Sequence, residues 1–334
     1  MKKKFVLTLA LVLMVAVTLT AATPLEVSGS FKAGYKFTFD KNTAVGVIDD
    51  SKVTVNAEFS GDFWGVEVDG GYVAGEDKSI TALAEIYLDK ALAEKGVDMG
   101  DVSLTLHAGT GVGKGAASVL ADKADFRKDR GIAMGHGDNF GLTIGYAKLA
   151  EVYFSMDPTL DTFPVVVGVK ANPADGVSAA VGFTNDYRAA GTTAVAVSVA
   201  ADVKKLADLD FDLSATAEYL IKDFENITHE INATVTGGYE GASLWVAYKL
   251  ADTKKNFVAA KAAYETKVDD FTLSAGVKIS TVDVADFAEN FVVDLNAGAK
   301  YGLGGVTYAL DLGYAINKAG TGKFTLSPTA TIAF

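Results

Sequence analysis

Apolar and polar residues alternate along most of this chain. In "SFKAGYKFTFD", Phe31, Ala33, Tyr35, Phe37 and Phe39 interleave with Lys32, Gly34, Lys36 and Thr38. In "KVTVNAEFS", Val53, Val55, Ala57 and Phe59 interleave with Thr54, Asn56 and Glu58. A strand turns successive side chains to opposite sides, so a period of two gives one oily face and one polar face. The same pattern runs through "FDLSATAEYLIK", "EINATVTGGYE", "FTLSAGVKIS", "FVVDLNAGAKY" and "VTYALDLGYAIN". Helical spacing at three and four fits these segments poorly. The chain reads as all-β.

Segment length separates two kinds of alternating protein. Soluble sandwiches use strands of about five or six residues, whereas a strand crossing a bilayer on a tilt needs about nine to eleven. Many runs here have the longer span. Their polar faces carry Lys, Glu, Asp, Gly, Ser and Thr, suited to a wet interior. Their apolar faces carry Ala, Val and Leu mid-strand, with Tyr72, Tyr146, Tyr219, Tyr239, Tyr248, Tyr301, Tyr308 and Tyr314 nearer the ends, as in the aromatic girdles of membrane proteins. The pattern predicts a transmembrane antiparallel up-and-down β-barrel over 23–334. Its strands fall near 25–39, 52–60, 64–74, 79–88, 101–110, 139–147, 150–157, 164–171, 177–185, 192–202, 210–222, 230–240, 242–250, 257–268, 271–281, 291–301, 306–317 and 323–334. That is about eighteen strands, with sixteen as the alternative count.

The first residues bear on location. "MKKK", the apolar "FVLTLALVLMVAVTL" and the small "TAAT" make residues 1–22 a secretory signal peptide. The last residues, "GKFTLSPTATIAF", place Phe324, Leu326, Pro328, Ala330, Ile332 and Phe334 on one face and Thr325, Ser327, Thr329 and Thr331 on the other. A terminal Phe in such a strand resembles the signal that bacterial outer-membrane proteins present to their barrel-assembly machinery. The whole mature chain resembles an outer-membrane barrel of the general-diffusion porin type. That resemblance implies an outer-membrane location in contact with its lipid. It implies passive passage of small hydrophilic solutes and ions, and trimers by analogy. The alternative is a structural or adhesive surface barrel with an occluded lumen.

In general-diffusion porins the loop after the fifth strand folds into the lumen. The corresponding stretch here, 111–138, carries Lys114, Asp122, Lys123, Asp125, Arg127, Lys128, Asp129 and Arg130, the expected pore constriction. By parity the lumen wall includes Lys32, Lys36, Glu58, Glu67, Asp69, Glu85, Asp212, Glu218, Lys278, Asp294, Lys300 and Asp311. Acids and bases roughly balance there, which predicts weak ion selectivity. The loops opposite the termini are acidic, with Asp49, Asp50, Asp223, Asp283 and Asp286 among them.

Composition narrows the chemistry. A formal charge of −12 excludes the basic stripe that a nucleic-acid partner requires. The absence of cysteine removes disulfides, a thiol nucleophile and thiolate metal sites. "GTGVGKGAAS" lacks phosphate-loop spacing, since Lys114 is followed by Gly115. His107, His136 and His229 are scattered and form no metal or catalytic constellation by spacing. The reading requires no enzyme activity and no cofactor.

Overall fold

The computed structural model describes residues 25–40, 43–73, 79–109, 140–158, 160–161, 163–186, 191–224, 227–250, 256–281, 283–317 and 322–334. Its strands are β1 (Leu25–Asp40), β2 (Thr43–Asp49), β3 (Lys52–Gly61), β4 (Trp64–Val73), β5 (Ser79–Tyr87), β6 (Val102–Gly109), β7 (Phe140–Tyr146), β8 (Ala150–Met156), β9 (Val165–Ala174) and β10 (Val177–Thr184). They continue with β11 (Ala194–Asp202), β12 (Asp212–Lys222), β13 (Thr228–Tyr239), β14 (Ala242–Leu250), β15 (Asn256–Val268), β16 (Phe271–Thr281), β17 (Phe291–Leu303), β18 (Val306–Asn317) and β19 (Gly322–Ala333). Among the described residues three short helices, α1 (Leu88–Glu94), α2 (Val203–Ala207) and α3 (Phe287–Asn290), sit between strands.

Strand β1 pairs with both β2 and β3 in a single register, Lys32 opposite Lys52, Tyr35 opposite Asp49 and Lys36 opposite Ile48. The two pieces are therefore one wall strand broken locally at Asp50–Ser51. Three contacts hold the break. The Asp50 N–H donates to the Gly34 carbonyl at 2.9 Å, the Ser51 N–H to Asp49 Oδ1 at 2.9 Å, and Lys32 Nζ to Asp50 Oδ2 at 2.6 Å. Counted this way the wall is a closed antiparallel barrel of eighteen strands. Residues 43–49 had been expected within an external loop, and the correction has a physical reason. Val47 continues the outer alternation opposite Phe37, but Ile48 falls on the inner face beside Lys36 and breaks the pattern.

Closure runs along β1 and β19, from Ser30 opposite Ala333 to Asp40 opposite Lys323. Beyond it, Gly29 and Phe334 exchange both backbone hydrogen bonds, at 2.8 and 3.0 Å. A free edge in hydrocarbon would leave N–H and C=O groups unsatisfied at several kcal/mol each, which is why a spanning sheet must close. Turn chemistry sets the tight connections on the rim that holds the termini. Glu240–Gly241 and Gly304–Gly305 each place two successive residues at positive φ (45° and 85°, 59° and 80°), the type I′ geometry that matches strand twist.

The faces divide as alternation requires. Large apolar residues point outward and remain exposed on the isolated chain, Val235 at 48% and Leu310 at 43% among them. Exposed apolar surface of this extent, encircling the molecule, needs an apolar neighbour. Exposed tyrosines mark both ends of the band: Tyr146, Tyr239 and Tyr308 towards the termini rim, Tyr72, Tyr219, Tyr248 and Tyr314 towards the other. Tyr301 stacks on Phe271 with centroids 4.8 Å apart. Helix α1 occupies the connection between β5 and β6. Helix α2 was not foreseen; Asp202 caps its start by accepting from the Lys205 N–H at 3.2 Å.

Candidate functional site in the lumen

Ladder register brings inward side chains into rows that cross the strands. On β3 to β5 the rows are acidic. Glu58 lies directly opposite Glu67, with Glu26 on its other side. One amide serves two carboxylates, Asn56 Nδ2 donating to Glu67 Oε1 at 2.9 Å and to Asp69 Oδ1 at 3.0 Å. Like charges facing each other across a ladder are destabilising, so this arrangement opposes folding rather than aiding it. A cavity of about 200 Å³ opens against it, lined by Glu58, Ser60, Glu67, Leu83, Glu85 and Tyr87 among others.

From Glu85 a chain of polar contacts runs along the wall. Tyr87 donates to Glu85 Oε2 at 3.0 Å, His107 Nδ1 lies 3.1 Å from Glu85 Oε1, and His107 Nε2 lies 2.8 Å from Thr143 Oγ1. On β8, Tyr153 donates to Glu151. Carboxylate, imidazole and hydroxyl in line resemble the arrangement used in acyl transfer. Such centres also aim backbone N–H groups at an oxyanion, and β7 has its own N–H groups in ladders with β6 and β8.

Further round the ring the inward charges are mixed and richer in lysine. Lys261 faces Lys278 across β15 and β16, and Lys278 faces Asp294 across β16 and β17. Lys300 stands between Thr272 and Ala309, and the Asp311 carboxylate lies close against Gly298. Between the two sectors the wall is dry. Ser198, Glu218, Asn232, Lys249 and Phe257 form one cross-strand row on β11 to β15, and all are buried. Lys249 Nζ pairs with Glu230 Oε2 at 3.0 Å, the two side chains 2% and 9% exposed. The adjoining Val166, Ala180, Ala194, Ala196 and Leu220 pack into an apolar cluster. The inner wall is therefore shielded from solvent along this side.

No model of a protein family matches the chain, and no curated protein matches it in sequence. Solved structures do match. OpdQ from Pseudomonas aeruginosa superposes with a TM-score of 0.59 at 10% identity, covering 93% of this chain and 97% of that one. A BenF-like porin from Pseudomonas fluorescens Pf-5 gives 0.57 at 8%, covering 93% and 99%. The outer membrane protein OprD from Pseudomonas aeruginosa gives 0.56 at 11%, covering 93% and 94%. The chain has the fold of a porin. At such identities the likeness extends to the fold, and the wall chemistry is this chain's own.

Within the porin fold the predicted site residues scatter. Glu58, Glu67, Asp69 and Glu85 come together in the acidic sector. Lys278 and Asp294 become cross-strand partners, and Glu218 joins the dry row. Lys32 pairs with Asp50 and Lys36 faces Ile48, both on the seam side. Asp212 stands at the termini rim, 75% exposed, paired with Lys204 of α2 at 2.6 Å. That carboxylate raises the Lys204 ammonium above its ordinary range. Lys114, Asp122, Lys123, Asp125, Arg127, Lys128, Asp129 and Arg130 lie outside the described residues. Sequence reasoning missed Lys261, because Phe257 and Ala259 ahead of it on the same inward face disguise that face as apolar.

Proposed function

We propose that this chain is an outer-membrane porin through which small hydrophilic solutes and ions diffuse passively. The observation that carries the reading is the closed eighteen-strand wall, apolar outside and charged inside, in a size class that in barrels leaves an aqueous channel. The similarity to a BenF-like porin and to OprD supports it at the level of fold. In the same reading residues 1–22 are removed on export, Phe334 engages the assembly machinery, and the barrel associates as trimers. The 111–138 segment contributes its charges to the constriction, and replacing Arg127 and Arg130 with Glu shifts ion preference towards cations. No covalent chemistry is assigned.

The segregation of charge sharpens the expectation of weak selectivity. Acids on β3 to β5 against lysines on β15 to β17 set a field across the lumen rather than along it, which orders a passing solute more than it rejects an ion. Purified barrel inserted into planar bilayers is expected to give large ohmic steps with modest cation preference. The double variant Glu67→Gln, Asp69→Asn is expected to lower the K⁺/Cl⁻ permeability ratio about twofold without reducing step size, exposed charges in a wet pore being heavily screened. An unchanged ratio would take these carboxylates out of the ion path.

The dry row on β11 to β15 favours a second reading, a structural or adhesive barrel whose lumen is occluded. Well-folded protein that stays electrically silent in the bilayer decides for that reading and against the porin.

A further inference from the structure

Across β4 to β8 the described strand residues include no lysine or arginine. Yet this sector holds Glu67, Asp69, Glu85 and Glu151 on its inner wall, and β3 adds Glu58. The one group there able to become cationic is His107. It sits centrally, its Nδ1 at Glu85 and its Nε2 at Thr143. Imidazole is the side chain whose charge changes between about pH 5 and 8.

The surroundings are specific about what that change would do. Facing His107 from β5 are Glu85 and Tyr87, and from β7 the uncharged Thr143. One strand further lie Glu67 and Asp69 on β4 and the Tyr153–Glu151 pair on β8, with Glu58 beyond on β3. Helix α1, which packs against β6, brings Lys90 over the Tyr87 ring at 4.2 Å from its centroid. Side-chain exposures of 17% for His107 and 32% for Glu85 leave both in reach of water, so a proton can come and go without unfolding. Thr143 Oγ1 serves either state, donating to neutral Nε2 and accepting from the imidazolium.

Resting on the porin reading, we propose that His107 is a specificity-determining residue of the pore. When neutral, it leaves the Glu58, Glu67 and Glu85 strip negative and favourable to cations. When protonated, it offsets the charge of Glu85, leaves the strip less negative and reduces cation preference. The device is a proton-set charge on an otherwise acidic wall and requires no movement of the backbone.

The test uses the whole barrel in planar bilayers under a KCl gradient, with reversal potential read near pH 8 and near pH 5.5. The wild type is expected to lose about half of its K⁺/Cl⁻ permeability ratio on acidification, one screened charge acting at close range. His107→Gln keeps a hydrogen bond to Thr143 and is expected to give a flat ratio. Glu85→Gln is expected to start from a lower ratio and still fall. A flat wild-type response overturns the proposal, and so does an undiminished fall in His107→Gln, which would assign the titration to carboxylates. Should the wild type conduct at neither pH, the porin reading fails. The switch is then read separately from the His107 ring ¹³C signal in detergent micelles, identified by its loss in His107→Gln. Titration across this pH range supports the switch, and a signal that stays fixed overturns it.

Discussion

Gly29→Val is expected to abolish most of the folded barrel. A Cβ at Gly29 would stand 2.5 Å from the Thr54 carbonyl oxygen and 2.9 Å from Cζ of Phe334. The first neighbour is backbone, held in the β1–β3 ladder, and cannot swing away. The second is the ring that covers Gly29 on the outer face, where the last residue meets the first strand. Valine would therefore push β1 away from both of its neighbours at the one seam whose strands lie at opposite ends of the sequence. Overpacking in a close-packed site costs about 1–3 kcal/mol, and here it falls on the contact that closes the cylinder. The measure is the fraction of protein running as the compact, heat-modifiable band on an unboiled gel. Gly46→Ala is the control, since its Cβ would meet nothing nearer than Thr38 Cβ at 3.7 Å. Equal yields from the two variants would show that the seam tolerates spreading.

Lys249→Met is expected to destabilise the barrel by about 3 kcal/mol, and Lys249→Met with Glu230→Leu to recover most of the loss. The Lys249–Glu230 pair is shielded from solvent on the inner wall, and removing one partner leaves a desolvated charge, a penalty of about 3–5 kcal/mol in comparable sites. Replacing both removes the desolvation penalty together with the attraction. The midpoint of denaturant unfolding in detergent reads each variant, and the double-mutant cycle isolates the coupling. A single variant as stable as the wild type would mean that water reaches this part of the lumen.

The wall was legible in the chain because lipid on one side and water on the other force a period of two. Phe31 to Phe39 and Phe324 to Ile332 show it without any alignment, and the strand positions follow. What alternation does not determine was missed. Residues 43–49 extend the first hairpin, and with Ile48 turned inward the two faces no longer contrast. The helix at 203–207 is one turn of chain fitted between β11 and β12, too short for any periodicity to register. The Glu85–His107–Thr143 chain joins residues far apart in sequence, and only hairpin register places them together. That register could have been propagated through the "DKALAEKGVDMG" turn to set Glu85 opposite His107, had the length of α1 been known. The burial of Lys249 and Glu230 left no trace in the sequence, since a lysine and a glutamate on a wet face read the same as on a dry one.

The seam has a topological consequence. Leu25 and Phe334 leave the wall at the same rim on neighbouring strands, so a short peptide could bridge them, and any other hairpin on that rim could be cut instead. Opening the chain between Asp62 and Phe63, for example, would yield a circular permutant with every ladder of the cylinder preserved. Such a rearranged chain would carry Phe334 in its interior and so separate the aromatic lid over Gly29 from the proposed role of Phe334 as an assembly signal.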